Sequence, residues 1–94
     1  MHELVFTPRF ERAFRRLVGK NPALQSSLET TLRRLAENLN DSRLKTHRLS
    51  GQLAGLYACS AGYDCRIVFA KQSHPKTGAN VLLLINLGTH EEVY

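Results

Sequence analysis

At 94 residues the chain has the length of one domain, expected to span residues 1–94, and folding at that size removes about two-thirds of the unfolded surface from water. With 43% hydrophobic and 22% charged residues the composition excludes a low-complexity or disordered chain, and the apolar run Val81 to Leu87 is far shorter than the roughly 20 residues that a membrane span needs. Net charge is +5, carried wholly by residues 1–50, where ten Lys/Arg face five Asp/Glu; residues 51–94 hold three of each.

Two consequences of that charge stay open at this level. A localised basic excess favours a polyanion or an acidic protein partner. It also serves as a solvated helical surface that keeps a small protein soluble. The opening M-H-E-L-V-F-T-P-R-F-E-R lacks the apolar core of a secretory signal, so a cytosolic protein without membrane contact is expected.

Residues 2–6 (H-E-L-V-F) read as a first strand. Thr7-Pro8 opens a helix, threonine as N-cap and proline at the first helical position. Phe10, Phe14, Leu17 and Val18 recur at helical spacing, Arg9, Arg12, Arg15 and Arg16 fill other positions, and Gly19 is the expected stop. Asn21-Pro22 repeats the opening signal. Leu24, Leu28, Leu32, Leu35 and Leu39 then follow at spacings of four, four, three and four, which predicts an amphipathic helix ending near residues 38–41. The short linker makes the pair an antiparallel hairpin.

Residues 44–55 are turn-rich, a lead-in to a strand over 56–60 and a turn near Ala61-Gly62. Residues 64–70 read as a strand that alternates Cys65, Ile67 and Phe69 on one face with Asp64, Arg66 and Val68 on the other. Residues 71–80 form a polar loop, and Val81 to Leu87 a central strand covered on both faces. The expected class is α+β: an N-terminal strand, a helical hairpin, then a three-stranded antiparallel meander completing a small sheet.

Cys59 and Cys65 flank the turn and are expected as two reduced, partly buried thiols. Two cysteines and four histidines without ligand spacing make no zinc site, so no metal and no cofactor is expected. Cleaving RNA through its own 2′-hydroxyl needs a base for that proton, an acid for the leaving 5′-oxygen and a cation for the charge on phosphorus. His47, Asp64, Arg66 and His90 supply those types, and arginine matches two phosphate oxygens at once. Each also has a plainer reading: His47 as a loop histidine, Asp64 as a turn residue, Asp64 with Arg66 as a surface ion pair, and His90 and Tyr94 as tail residues.

The stretches H-R-L-S-G-Q-L-A-G-L-Y (47–57), G-Y-D-C-R-I-V-F (62–69) and G-T-H-E-E-V-Y (88–94), in this order in a small basic chain, resemble the RelE/ParE superfamily of bacterial type II toxins, and within it the YafQ-like mRNA interferases. The resemblance implies a RelE-like sheet backed by a helical hairpin, entry into the ribosomal A site, mRNA cleavage there, and inhibition by a cognate acidic antitoxin in a hetero-oligomer. Position by position, His47 looks like the family's first active-site histidine, Asp64 its strand aspartate, His90 its C-terminal histidine and Tyr94 its C-terminal aromatic. Ser60 stands where the family pattern often has a further histidine. Arg66 joins the set through its shared face with Asp64, and Lys45, Arg48, Arg66, Tyr94, Arg12 and Arg16 are the expected RNA contacts. The same superfamily holds ParE-like gyrase inhibitors, and a non-catalytic antitoxin- or ribosome-binding relative is the third reading.

Overall fold

The computed structural model describes residues 2–62 and 64–94, and Tyr63 of the G-Y-D-C-R-I-V-F stretch lies outside them. The chain runs β1 (Glu3–Phe6), α1 (Pro8–Lys20), α2 (Leu24–Glu37), β2 (His47–Arg48), β3 (Tyr57–Ser60), β4 (Arg66–Ser73), β5 (Asn80–Gly88) and α3 (His90–Val93). Its five strands form one sheet in the order β1-β5-β4-β3-β2. β1 pairs parallel to β5, and all other neighbours are antiparallel. This is the expected α+β arrangement with one strand more, since the lead-in adds β2 at the edge and the meander has four strands rather than three.

Thr7 fixes the first crossover. Its Oγ1 accepts from Phe10 N at 3.1 Å, capping α1, and donates to the Leu84 carbonyl at 2.8 Å, so the helix starts against β5. α1 continues through Gly19 to Lys20 and is closed by Asn21, whose N–H donates to the Leu17 carbonyl. The expected stop at Gly19 is therefore one residue early. Asn21-Pro22 gives a turn, and α2 begins at Leu24 behind Ala23, without a side-chain cap. α2 ends at Glu37, so Leu39 reaches the core from the turn beyond it.

One face of the sheet packs on the helices. Cys59, Ile67, Phe69, Leu84 and Leu87 join Phe10, Leu28 and Leu35 there as the buried core. The sheet's opposite face carries the alternate residues, among them Ser60, Arg66 and Asn86. Ala58 and Val68 on that face are buried too, where α3 lies against β4 and β5. A register shift between Val68 and Phe69 explains why Ile67, Val68 and Phe69 are all buried, against simple alternation.

The strand expected from residue 64 starts at Arg66. Ala61 N donates to the Cys65 carbonyl at 2.8 Å and Gly62 takes φ +98°, so the turn occupies the residues before the ladder opens at Ser60–Arg66. Asp64 sits in that turn and does not share a strand face with Arg66. Residues expected as a 71–80 loop extend β4 to Ser73 and start β5 at Asn80. Cys59 and Cys65 are free, and both are buried.

Candidate active site

β5 delivers the chain's last residues to the rim of the sheet, where α3 begins without a loop. Thr89 Oγ1 accepts from Glu92 N at 3.3 Å, and Glu92 Oε1 accepts from Thr89 N at 2.9 Å, a reciprocal capping box. A Cβ at Gly88 would lie 3.0 Å from Glu92 Oε1 and 3.1 Å from Glu92 Cβ, so the bare glycine is what lets Glu92 fold back. Glu92 also faces Arg16 of α1, with 3.5 Å between Oε2 and Nη2. The hydrogen bond from Thr89 N–H, with the Arg16 charge behind it, holds the Glu92 carboxyl below its ordinary range.

His90 and Tyr94, four residues apart, share one side of this turn. Their rings meet edge-on, with centroids 4.5 Å apart at 86°. Tyr94 Oη lies 3.4 Å from Nε2 of His47 on β2, with ring centroids 6.4 Å apart. Tyr94 thus bridges two histidines, one from the β2 edge of the sheet and one from the end of β5, three strands away in the sheet's order. Burial pushes its phenol upward, and the Arg66 guanidinium opposes that shift.

The His47 Nδ1 is 3.1 Å from the Lys45 carbonyl. A carbonyl only accepts, so in the neutral ring that hydrogen bond assigns the proton to Nδ1 and turns the Nε2 lone pair toward the Tyr94 hydroxyl. Arg66 opens β4 with Ser60 on one side and Gly88 on the other. Its Nη1 donates to the Cys65 carbonyl at 3.2 Å, which anchors the guanidinium. Ser60, Arg66 and Gly88 form a row across three strands that ends at the base of α3.

The remaining expected residues divide. Asp64 is exposed and makes no hydrogen bond or ion pair among the described residues. Lys45 and Arg48 line a groove beside β2, where Arg48 stands opposite Tyr57. Arg12 and Arg16 border a cleft of about 340 Å³ with Asn86 and Glu92, where β1 has ended and α1 runs alongside β5. Between α3, β2 and the loop that follows β2 lies an open groove of about 690 Å³, with His47 and Tyr94 in its wall. Thr89, Glu92 and Asn86 were not anticipated. The T-H-E-E capping signature was legible in the sequence; nothing there marked Asn86. No three of His, Cys, Asp and Glu converge as a metal-holding group among the described residues.

Comparison with solved structures places this fold among bacterial toxins. The chain is similar to YafQ from E. coli, with a TM-score of 0.78 and 14% identity over 100% of this chain and 99% of that one. It is similar to the YoeB/ParE toxin from Agrobacterium tumefaciens, with a TM-score of 0.75 and 16% identity over 94% and 98%. The toxin of the E. coli DinJ-YafQ toxin-antitoxin complex matches with a TM-score of 0.70 and 15% identity over 99% and 97%. At these identities the structures speak for the fold alone. No curated protein sequence matches the chain. The sequence model of the bacterial YafQ toxins matches residues 2–94, and the chain therefore belongs to the YafQ family of toxins of type II toxin-antitoxin systems.

Proposed function

We propose that the chain is a ribosome-dependent endoribonuclease that cleaves translated mRNA in the cytoplasm, by acid-base attack of the 2′-hydroxyl without a metal. The observation that carries this reading is the His47–Tyr94–His90 cluster on the open face of a basic fold, beside an anchored arginine. His47 presents an Nε2 lone pair and accepts the 2′-hydroxyl proton. His90, exposed at the start of α3, returns a proton to the leaving 5′-oxygen. Arg66 donates to the phosphate oxygens as charge develops on phosphorus. Asp64, in the exposed turn that precedes β4, is the remaining candidate for base or orienter. Ser60 holds a hydroxyl where a family histidine often stands, so proton transfer falls to the two histidines.

The DinJ-YafQ complex supports a parallel pairing for this chain, in which a cognate acidic antitoxin covers the basic surface and blocks the site. The deciding experiment is primer extension on a defined mRNA in a reconstituted translation reaction, with the protein and its His90→Ala variant. New ends within the translated region, absent with the variant, are expected. Intact mRNA together with lost gyrase supercoiling would overturn the reading in favour of a ParE-type inhibitor. Tight antitoxin binding with neither effect would leave a non-catalytic relative.

A further inference from the structure

A second basic groove, of about 390 Å³, adjoins β2 beneath the candidate site. We propose that Lys71, with Lys45 and Arg48, makes this groove a phosphodiester-binding subsite that carries a single RNA strand across the β2 edge and away from the histidines. The inference rests on the endoribonuclease reading for the strand's identity, and on the following geometry for the subsite.

β2 has two residues, and they point to opposite faces. His47 looks to the open face, and Arg48 shares the other with Tyr57. His47 and Arg48 line both this groove and the one beside α3, so the two meet at the sheet's edge. A strand whose scissile phosphate lies at His47 passes next to Arg48.

The groove's cations are unpaired where its carboxylate is not. Asp41 is clamped by Arg43, with Nη2–Oδ2 at 2.7 Å and Nε–Oδ1 at 3.0 Å, which pulls the Asp41 carboxyl down to about 2. Among the described residues no carboxylate lies at ion-pair distance from Lys45, Arg48 or Lys71. Lys71 is also held in place. Its Nζ stands 4.2 Å from the centroid of the Tyr57 ring, which is stacked on Phe69 at 5.8 Å and 20°. Lys45 takes a left-handed φ of 51° at the end of a 3₁₀ turn, a conformation that a lysine keeps only where its surroundings fix it.

Phosphate, rather than a base, is the group this arrangement suits. With Phe69 stacked on it and the Lys71 ammonium over it, the Tyr57 ring offers no platform to a nucleobase. Three cations, of which Lys71 is held over the Tyr57 ring, with the hydroxyls of Ser42 and Thr46 nearby, contact backbone oxygens and read no sequence.

The test is fluorescence anisotropy of a short labelled single-stranded RNA, titrated at several salt concentrations with the wild type and with Lys71→Gln, Lys71→Arg and Lys76→Gln. Each phosphate neutralised contributes about 0.7 to the slope of log affinity against log salt for a single strand. Lys71→Gln is expected to flatten the slope by about 0.7 and to weaken binding by about eightfold near 50 mM salt, which is that slope carried to that concentration. Lys71→Arg should restore both, and Lys76→Gln, in the β4–β5 loop outside the groove, should change neither. An unchanged slope in Lys71→Gln overturns the subsite, as does a wild type that binds no RNA, or Lys71-dependent binding of polyglutamate in place of RNA. The same preparations are assayed for mRNA cleavage. Cleavage with an unchanged slope removes the subsite alone; a Lys71-dependent slope without cleavage removes the endoribonuclease reading and keeps the subsite.

Discussion

Tyr94 holds the two histidines apart through two different parts of one side chain. Its ring meets that of His90 edge-on with centroids 4.5 Å apart, while its hydroxyl faces His47 Nε2 at 3.4 Å. Tyr94→Phe keeps the ring contact and deletes the hydroxyl, so cleavage is expected to stay within about tenfold of wild type, whereas removing a general acid by His90→Ala costs about 100-fold or more. Single-turnover cleavage rates of the two variants decide the matter. Equal losses would put the Tyr94 hydroxyl itself in the proton transfer. His47, His90 and Tyr94 were legible in the sequence as residue types at strand ends, but their convergence was not. It depends on β2 pairing with β3 and on α3 turning back, neither of which follows from alternation or helical spacing. Asp64 shows the converse. Its two-residue offset from Arg66 suggested a shared face, and the Gly62 turn places it outside the strand.

α3 has four residues, too few to be stable by propensity, so its ends decide whether it forms. Glu92 supplies the acceptor for Thr89 N–H and packs where Gly88 has no Cβ. Glu92→Gln keeps an acceptor and loses the charge facing Arg16, a pair about half exposed on both sides and worth little. Glu92→Ala loses the cap, a local cost of about 1 kcal/mol. Cleavage should therefore survive in the glutamine variant and fall in the alanine variant, with the thermal midpoint nearly unmoved in the first and lowered by a few degrees in the second. An equal fall in both would assign the effect to the Arg16 pair. The longer elements were the legible ones: Thr7-Pro8 and the Phe10–Phe14–Leu17 spacing gave α1, and the leucine series gave α2. The short ones were not, because two residues of β2 and four of α3 carry too little pattern to separate from loop, and their formation is set by partners distant in sequence.

Across the whole molecule, stability should fall at both ends of the pH scale, through carboxylates on the acid side and buried thiols and a phenol on the alkaline side. On the acid side, Arg43 holds Asp41 near 2 against an ordinary value of 3.8, and Thr89 N–H lowers Glu92. A lowered carboxyl contributes stability that is present above its unfolded value and lost as pH falls through the folded one, here from about 4 downward. On the alkaline side, burial pushes the Cys59 thiol up from 9.0 to about 12, with Cys65 adding to the shift and Arg66 opposing it. Cys65 and Tyr94 move in the same direction, also through burial. The unfolded thiol ionises first, so its contribution is intact below 9.0 and is lost as pH climbs toward 12, at a rate on the order of 1.4 kcal/mol per pH unit for one group. Thermal midpoints measured from pH 3 to 11 should form a plateau that drops beyond pH 9. Cys59→Ala should lower the plateau through the space it leaves and make the alkaline fall shallower, because one of the groups driving it is gone. An alkaline limb of unchanged steepness in that variant would mean that the thiol is ionised in the folded protein as readily as in the unfolded chain, in conflict with its complete burial in the sheet.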